Sequence, residues 1–256
     1  MVAALSFFIG HWYLSLFSQT FFLHRYSAHK MFTMSKGWER FFYLLTYITQ
    51  GSSYLNPRSY AILHRMHHAF SDSPKDPHSP HHTKNIFTMM WKTKDIYNAI
   101  LFYKQKVEAR FDKDLPEWKI IDRMGDAWIS RALWAVAYIS FYIVGFFYWD
   151  IHWVFFFLLP IHFLMGPIHG AIVNWGGHKY GYQNFDNNDK SKNSLLVDFL
   201  MMGELFQNNH HKHPLSINFA KKWYEIDPTY PVIKLLTWAK VIKPRVGVVG
   251  HEEHTH

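Results

Sequence analysis

Three stretches of this chain contain no Lys, Arg, Asp or Glu: Met1–Leu23, Ala132–Trp149 and Ile151–Gly177, with Asp150 alone between the last two. A helix that crosses the hydrocarbon layer of a membrane needs about 20 mostly apolar residues. The pattern predicts three spanning helices, at roughly 2–23, 131–149 and 151–173, the last two folded back on each other around Asp150. A soluble domain can bury one such helix. Three of them beside basic loops point to a membrane.

The charges that remain set the orientation. All 27 Lys and Arg lie in two stretches, 17 in Arg25–Arg131 and 10 in Lys179–Arg245. The net charge of +8 is therefore a topology signal, not a nucleic-acid footprint, and no nucleic-acid partner is expected. Basic loops stay on the cytosolic side, which puts the Asp150 turn and the N-terminus on the other. Met1–Leu23 lacks the basic start of a cleaved signal peptide. A fourth apolar run, Phe41–Ile48, is too short to span and reads as re-entrant or interfacial. The expected fold is an all-α integral membrane protein, with about three transmembrane helices, one short re-entrant or interfacial helix, and a cytosolic helical cap. Residues 1–245 read as one domain and 246–256 as a disordered tail. The expected location is a bacterial inner membrane or the endoplasmic reticulum, with the site facing the cytosol.

Outside the spans, residues 85–111 read as an amphipathic helix, Ser71–Pro80 as a Pro-rich loop, and Leu195–Phe206 as an interfacial segment. There is no cysteine, which removes disulfides, thiolate metal sites and a Cys nucleophile. The chain has no phosphate-binding glycine loop and no G-x-S-x-G.

The nineteen histidines are clustered. His24 and His29 stand where the first span ends; His64, His67 and His68 form H-R-M-H-H; Asn174 and His178 stand where the last span ends; Gln207, His210 and His211 form Q-N-N-H-H. Positions i, i+3 and i+4 share one helix face, which fits the second and fourth clusters, and Asn174 and His178 are one turn apart. His24 and His29 are five apart and would diverge on a straight α-helix, so the helix is expected to bend or end between them. All four clusters fall on one predicted side of the membrane, and that convergence is the argument for a metal site.

Neutral imidazole suits zinc, copper, iron or nickel. Eight histidines exceed the ligands of one ion, so two ions sharing the site is the economical reading. A site with open positions beside lipid favours an apolar substrate, and iron fits dioxygen chemistry on an unactivated C–H bond. The only Glu-x-x-His is Glu253/His256 in the tail. A soluble carboxylate di-iron bundle needs two on core helices.

The order and spacing of these boxes resemble the membrane-bound fatty-acid desaturases, specifically the acyl-CoA (stearoyl-CoA) desaturase-like branch, over about residues 15–215. The resemblance implies a cytosol-facing di-iron centre held by His24, His29, His64, His67, His68, His178, His210 and His211, with Asn174 reaching one metal through water. It implies dioxygen as co-substrate and a fatty acyl chain, carried on CoA, a carrier protein or a phospholipid, that gains a cis double bond. Electrons come from a separate donor such as cytochrome b5 or a ferredoxin with its reductase. Two features depart from the family pattern. Gln207 stands where the third box begins with His, and only one span precedes the first box where the family often has two. Gly170–Val173 lack the bulk associated with the bend of the acyl tunnel, so no tunnel residues are transferred. A hydroxylase or ketolase on the same scaffold is the competing enzyme. A metal carrier would need ligands at mid-membrane, not at span ends.

Other groups are secondary. Asp72, Asp76, Asp198 and Glu204 are candidates to orient ligand imidazoles. His78, His81 and His82 read as loop residues, and His169 as possible support for Asn174.

Overall fold

The computed structural model describes residues 1–245; the tail expected at 246–256 lies outside the described residues. The uncharged N-terminal stretch forms α1 (Val2–Phe17) and passes without a break into a π-helix, Ser18–Ala28. A short strand, β1 (Phe32–Met34), then pairs antiparallel with β2 (Ile242–Pro244) near the other end of the described chain. The π-helix is the structural centre, since all eleven of its residues are buried. Its Phe21, Phe22 and Leu23 pack with Tyr43, Phe206, Phe219 and Ile233 from four other parts of the chain.

Helix α2 (Lys36–Gln50) starts at Ser35, whose side chain accepts from the Trp38 amide. It is longer than the apolar run Phe41–Ile48, because a cap and a charged first turn extend it. It ends at Gly51, in the left-handed region at φ 50°, and a 3₁₀ turn leads to α3 (Pro57–Phe70). The turn is tight: a Cβ on Gly51 would lie 1.8 Å from the Tyr138 hydroxyl, at the middle of α6 (Trp128–Tyr148). Before α6 come α4 (Ile86–Leu101) and α5 (Lys119–Asp126). The amphipathic helix expected over 85–111 therefore ends ten residues early, at Leu101, and Tyr103 just beyond it is left-handed with φ 54°.

After α6 the chain reverses at Asp150, again left-handed, as the uncharged hairpin predicts. The Met1 ammonium donates to the Asp150 carbonyl at 3.3 Å, so the N-terminus and this turn share one end of the bundle. Among the described residues α6 is the one helix long and apolar enough to cross a membrane, and a bent pair, Trp153–Phe163 with Met165–Lys179, counts as a second if its halves act as one span. Three straight spans are thus not observed. The first expected span is 16 residues of α-helix continued as π-helix. The third is bent by 73° at Leu164, between α7 (Leu159–Phe163) and α8 (Met165–Ala171). Pro167 supplies the physical reason: it has no N–H to donate and its ring collides with the carbonyl one turn back. A second π-helix, Ile172–Gly176, and the short α9 (Gly177–Lys179) follow.

The apolar Leu195–Phe206 segment is not a helix but a series of turns. Asp198 is buried there and accepts from the amides of Met201 and Leu205, giving the backbone an alternative to helical bonding. Met202 and Gly203 are left-handed. The last helices are α10 (Gln207–Lys212) and α11 (Thr229–Trp238).

Gly51→Ala should destabilise the protein, because it adds both left-handed strain and a collision with Tyr138. A cost of about 1–3 kcal/mol is expected, read as a lower Tm of the detergent-purified protein. An unchanged Tm would mean the turn is not built as described.

Candidate metal centre

Four elements deliver the histidines. In the first π-helix the His29 amide donates to the His24 carbonyl at 3.1 Å. This is the five-residue bond of a π turn, and it sets His24 and His29 one turn apart where an α-helix would send them to different faces. The two rings sit with centroids 4.9 Å apart. Helix α3 begins at Asn56, whose side chain accepts from the Ser59 amide, with Pro57 in the first turn. Its i, i+3, i+4 spacing carries His64, His67 and His68 on one side. The second π-helix and α9 deliver His178, and α10 delivers His210 and His211.

The eight imidazoles form two groups. Ring nitrogens of His24, His29, His64, His68 and His210 all lie within 4.8 Å of one another, and so do those of His67, His178 and His211. Within the first group, Nε2 of His210 is 3.0 Å from Nε2 of His24 and 3.0 Å from that of His68, while His29 and His64 approach to 2.8 Å. In the second group His67 and His211 face each other through Nε2 at 3.2 Å. Two nitrogens bound at right angles to one ion, each about 2.1 Å from it, lie about 3.0 Å apart. The observed spacings are those of neighbouring ligands.

Buried carboxylates fix which nitrogen faces inward. His67 Nδ1 donates to Asp76 at 2.9 and 3.0 Å, His178 Nδ1 to Asp72 at 2.9 Å, and His211 Nδ1 to Asp189 at 2.6 Å. His24 Nδ1 lies 2.7 Å from Glu204. A proton on Nδ1 leaves Nε2 of the neutral ring as a lone pair. With both rings neutral, His67 and His211 point two lone pairs at each other, an arrangement that a proton or a metal cation between them relieves. Nε2 of His178 is buried without any protein partner. This donor set fits imidazole-bound divalent metal.

Protonation follows the same logic. Burial, and then the neighbouring imidazoles, hold His29, His64, His68 and His210 well below the usual histidine range. Burial brings His211 down to about 4, with Asp189 opposing it. Burial pushes Asp72, Asp76 and Asp189 up, but the histidines they hold outweigh it and keep all three below the usual carboxylate range.

The remaining candidates separate clearly. Gln207 is buried, and its amide donates to the Glu204 carbonyl at 2.6 Å. Asn174 sits in the second π-helix. Both line a cavity of about 730 Å³ that also touches His64, Glu204, Gly170 and Val173 and runs out to Trp91 on α4. Asp72, Asp76 and Glu204 each hold an imidazole, whereas Asp198 binds backbone amides only. His78 is not a solvated loop residue. Asp76 folds its loop inward by accepting from the His78 amide as well as from His67, and the His78 ring lies fully buried 4.3 Å from His67. His81 Nε2 donates to the His178 carbonyl at 2.9 Å. His169 is buried against Trp12 with neither ring nitrogen partnered; it lines the cavity and makes no bond to Asn174.

Asp189 and Arg25 were not legible in the sequence. Asp189 lies in the polar 181–194 loop, where nothing in the spacing marks it. Arg25 is fully buried, 3.1 Å from Glu204, 2.9 Å from Asp227, and stacked 3.8 Å over Phe219. Its one signal is its position beside His24.

Comparison with known proteins gives the family. A family model described as fatty acid desaturase matches residues 1–239. Among relatives, a hex-5-enoyl-[acyl-carrier protein] acetylenase of Moorena producens is 28% identical over 88% of this chain and 71% of its own length. An sn-1 stearoyl-lipid 9-desaturase of Synechocystis sp. is 30% identical over 84% of this chain and 62% of its own. An acyl-CoA 5-desaturase of Anemone leveillei is 29% identical over 87% and 65%. The chain thus spans roughly two thirds of the length of these relatives.

With metal removed by a chelator, the protein should lose stability as the pH falls from about 6.5 toward 4. The unfolded chain takes up protons over this window that the folded imidazoles refuse, so stability drops by about 1.4 kcal/mol per pH unit for each such histidine. Melting curves of the metal-free protein between pH 7.5 and 4.5 check this. A flat Tm would show that the imidazoles are not buried in neutral form.

Proposed function

The chain belongs to the fatty acid desaturase family, a family of membrane-associated desaturases, and we propose that its two histidine groups hold two iron ions that desaturate a fatty acyl chain. The protein is an oxidoreductase acting on fatty acyl lipids. The observation that carries the di-iron reading is the five-and-three partition of ring nitrogens at ligand spacing, with lone pairs facing inward.

On this reading His24, His29, His64, His68 and His210 hold one iron, and His67, His178 and His211 the other. Gln207 and, through water, Asn174 are assigned by motif position and by their place on the cavity wall. When bound, the di-iron centre supplies dioxygen activation and the removal of two hydrogens from adjacent methylenes, with two electrons from a separate donor, giving a cis double bond and water. The chain's own groups do the rest. Asp72, Asp76 and Asp189 keep the Nδ1 protons in place, so that Nε2 stays free for metal. The mostly apolar cavity holds the acyl chain beside His64 and excludes water from the methylenes to be oxidised. The relatives' printed names cover positions 5 and 9 and lipid, CoA and carrier-protein esters. The proposal is accordingly made at the level of fatty acyl desaturation, with residues 1–245 as one catalytic domain.

Two features of the bundle support the membrane placement. The N-terminus meets the Asp150 turn at one end, while every Lys and Arg and every ligand histidine belongs to segments beyond the uncharged stretches. Basic segments stay cytosolic, so the site faces the cytosol, within reach of a soluble or membrane-tethered donor such as cytochrome b5 or a ferredoxin. Helix α2, turning back at Gly51 beside the middle of α6, is read as re-entrant.

Expression in a host, followed by gas chromatography of its lipids with double-bond location, tests the activity. A new cis double bond is expected, and a new hydroxyl with no new double bond would indicate a hydroxylase. His67→Ala and His210→Ala should each abolish the product while the protein remains membrane-inserted; retained product would refute those ligands. Gln207→His should keep activity, since imidazole is at least as good a ligand as an amide.

A further inference from the structure

The two halves of the centre are not built alike. In the three-histidine half every imidazole has its own carboxylate: Asp76 on His67, Asp72 on His178, Asp189 on His211. These carboxylates are anchored in turn. Asp76 accepts from the Asp72 and His78 amides, Asp72 from the Lys190 amide and the Ser79 hydroxyl, and Asp189 from the Ser191 amide. In the five-histidine half only His24 has a carboxylate, Glu204, and that group is shared with the buried Arg25 guanidinium. His29, His64, His68 and His210 have no carboxylate within 4 Å among the described residues, and Nδ1 of His210 is buried without a partner. The local formal charge is thus three negative in one half, while in the other Glu204 and Asp227 share the positive charge of Arg25, leaving one negative charge.

Resting on the two-ion reading above, we propose that the three-histidine half holds its ion by charge, through Asp72, Asp76 and Asp189 as positioning residues, while the five-histidine half holds its ion by ligand number. Three neutral imidazoles are few for a divalent ion that usually takes four to six ligands. Carboxylates behind them raise ligand basicity and neutralise the ion in a site that water scarcely reaches. Five imidazoles supply enough donors without that help.

Co²⁺ binding to the metal-stripped full-length protein in detergent tests the proposal. The unsubstituted protein should take two Co²⁺ per chain. Asp189→Asn and Asp72→Asn should each weaken one binding step by about 10–100-fold and leave the other in place, and both substitutions should act on the same step. Asp189→Glu keeps the charge and should restore most of the lost affinity. That recovery separates a charge role from damage to the fold, which the longer side chain would not repair. Loss of both steps together, loss of neither, or no recovery in Asp189→Glu would overturn the inference. Fewer than two Co²⁺ bound by the unsubstituted protein would overturn the two-ion reading itself.

Discussion

Two imidazole lone pairs facing each other at 3.2 Å repel unless a positive charge lies between them. His67 and His211 are held in that arrangement by Asp76 and Asp189, and much of the architecture serves to keep them there. Asp76 pulls its loop inward. Asp189 brings the polar 181–194 segment over the site, and Asn184 and Asn193 tie that segment to Asn209 of α10. Burying this many polar groups is costly when they are unpaired. The network makes sense as the housing of a cation, and burial holds His29, His64, His68, His210 and His211 below the usual histidine range.

The backbone makes a matching concession. A π turn has poorer hydrogen bonding than an α turn and is rarely used without a reason. Among the described residues two such segments occur, one carrying His24 and ending against His29, the other preceding His178. The first brings residues five apart onto one turn. It is also the most buried element, packed on all sides by Tyr43, Phe206 and Phe219, and that packing offsets the weaker local geometry. Arg25 extends the same logic: beside a ligand, it ties Glu204 and Asp227 from distant loops to the π-helix.

The site was far more legible in the sequence than the fold around it. Ligand types and spacings are local properties, so His64/His67/His68 and His210/His211 could be placed on helix faces from their offsets alone. The His24/His29 spacing marked an irregularity, though a bend was expected and a π-helix is present. What stayed hidden depends on tertiary contact. Asp189 sits in a loop whose path nothing local determines, and His78 is buried only because Asp76 turns its loop inward. Charge-free length correctly marked the Asp150 hairpin. It could not show that Pro167 breaks the last apolar stretch, nor that Asp198 turns Leu195–Phe206 away from helix. The equal treatment given to Asp72, Asp76, Asp198 and Glu204 shows the same limit, since only contact distinguishes the three that hold imidazoles from the one that holds backbone.

The central claim is that two iron ions sit on two separate sets of imidazoles. Iron quantification combined with X-ray absorption at the iron edge, on protein purified from iron-supplied cells, tests it most directly. The account predicts two irons per chain, bound by nitrogen at about 2.1 Å, with the multiple-scattering pattern of imidazole. One metal per chain, or iron surrounded by oxygen without imidazole scattering, would contradict it.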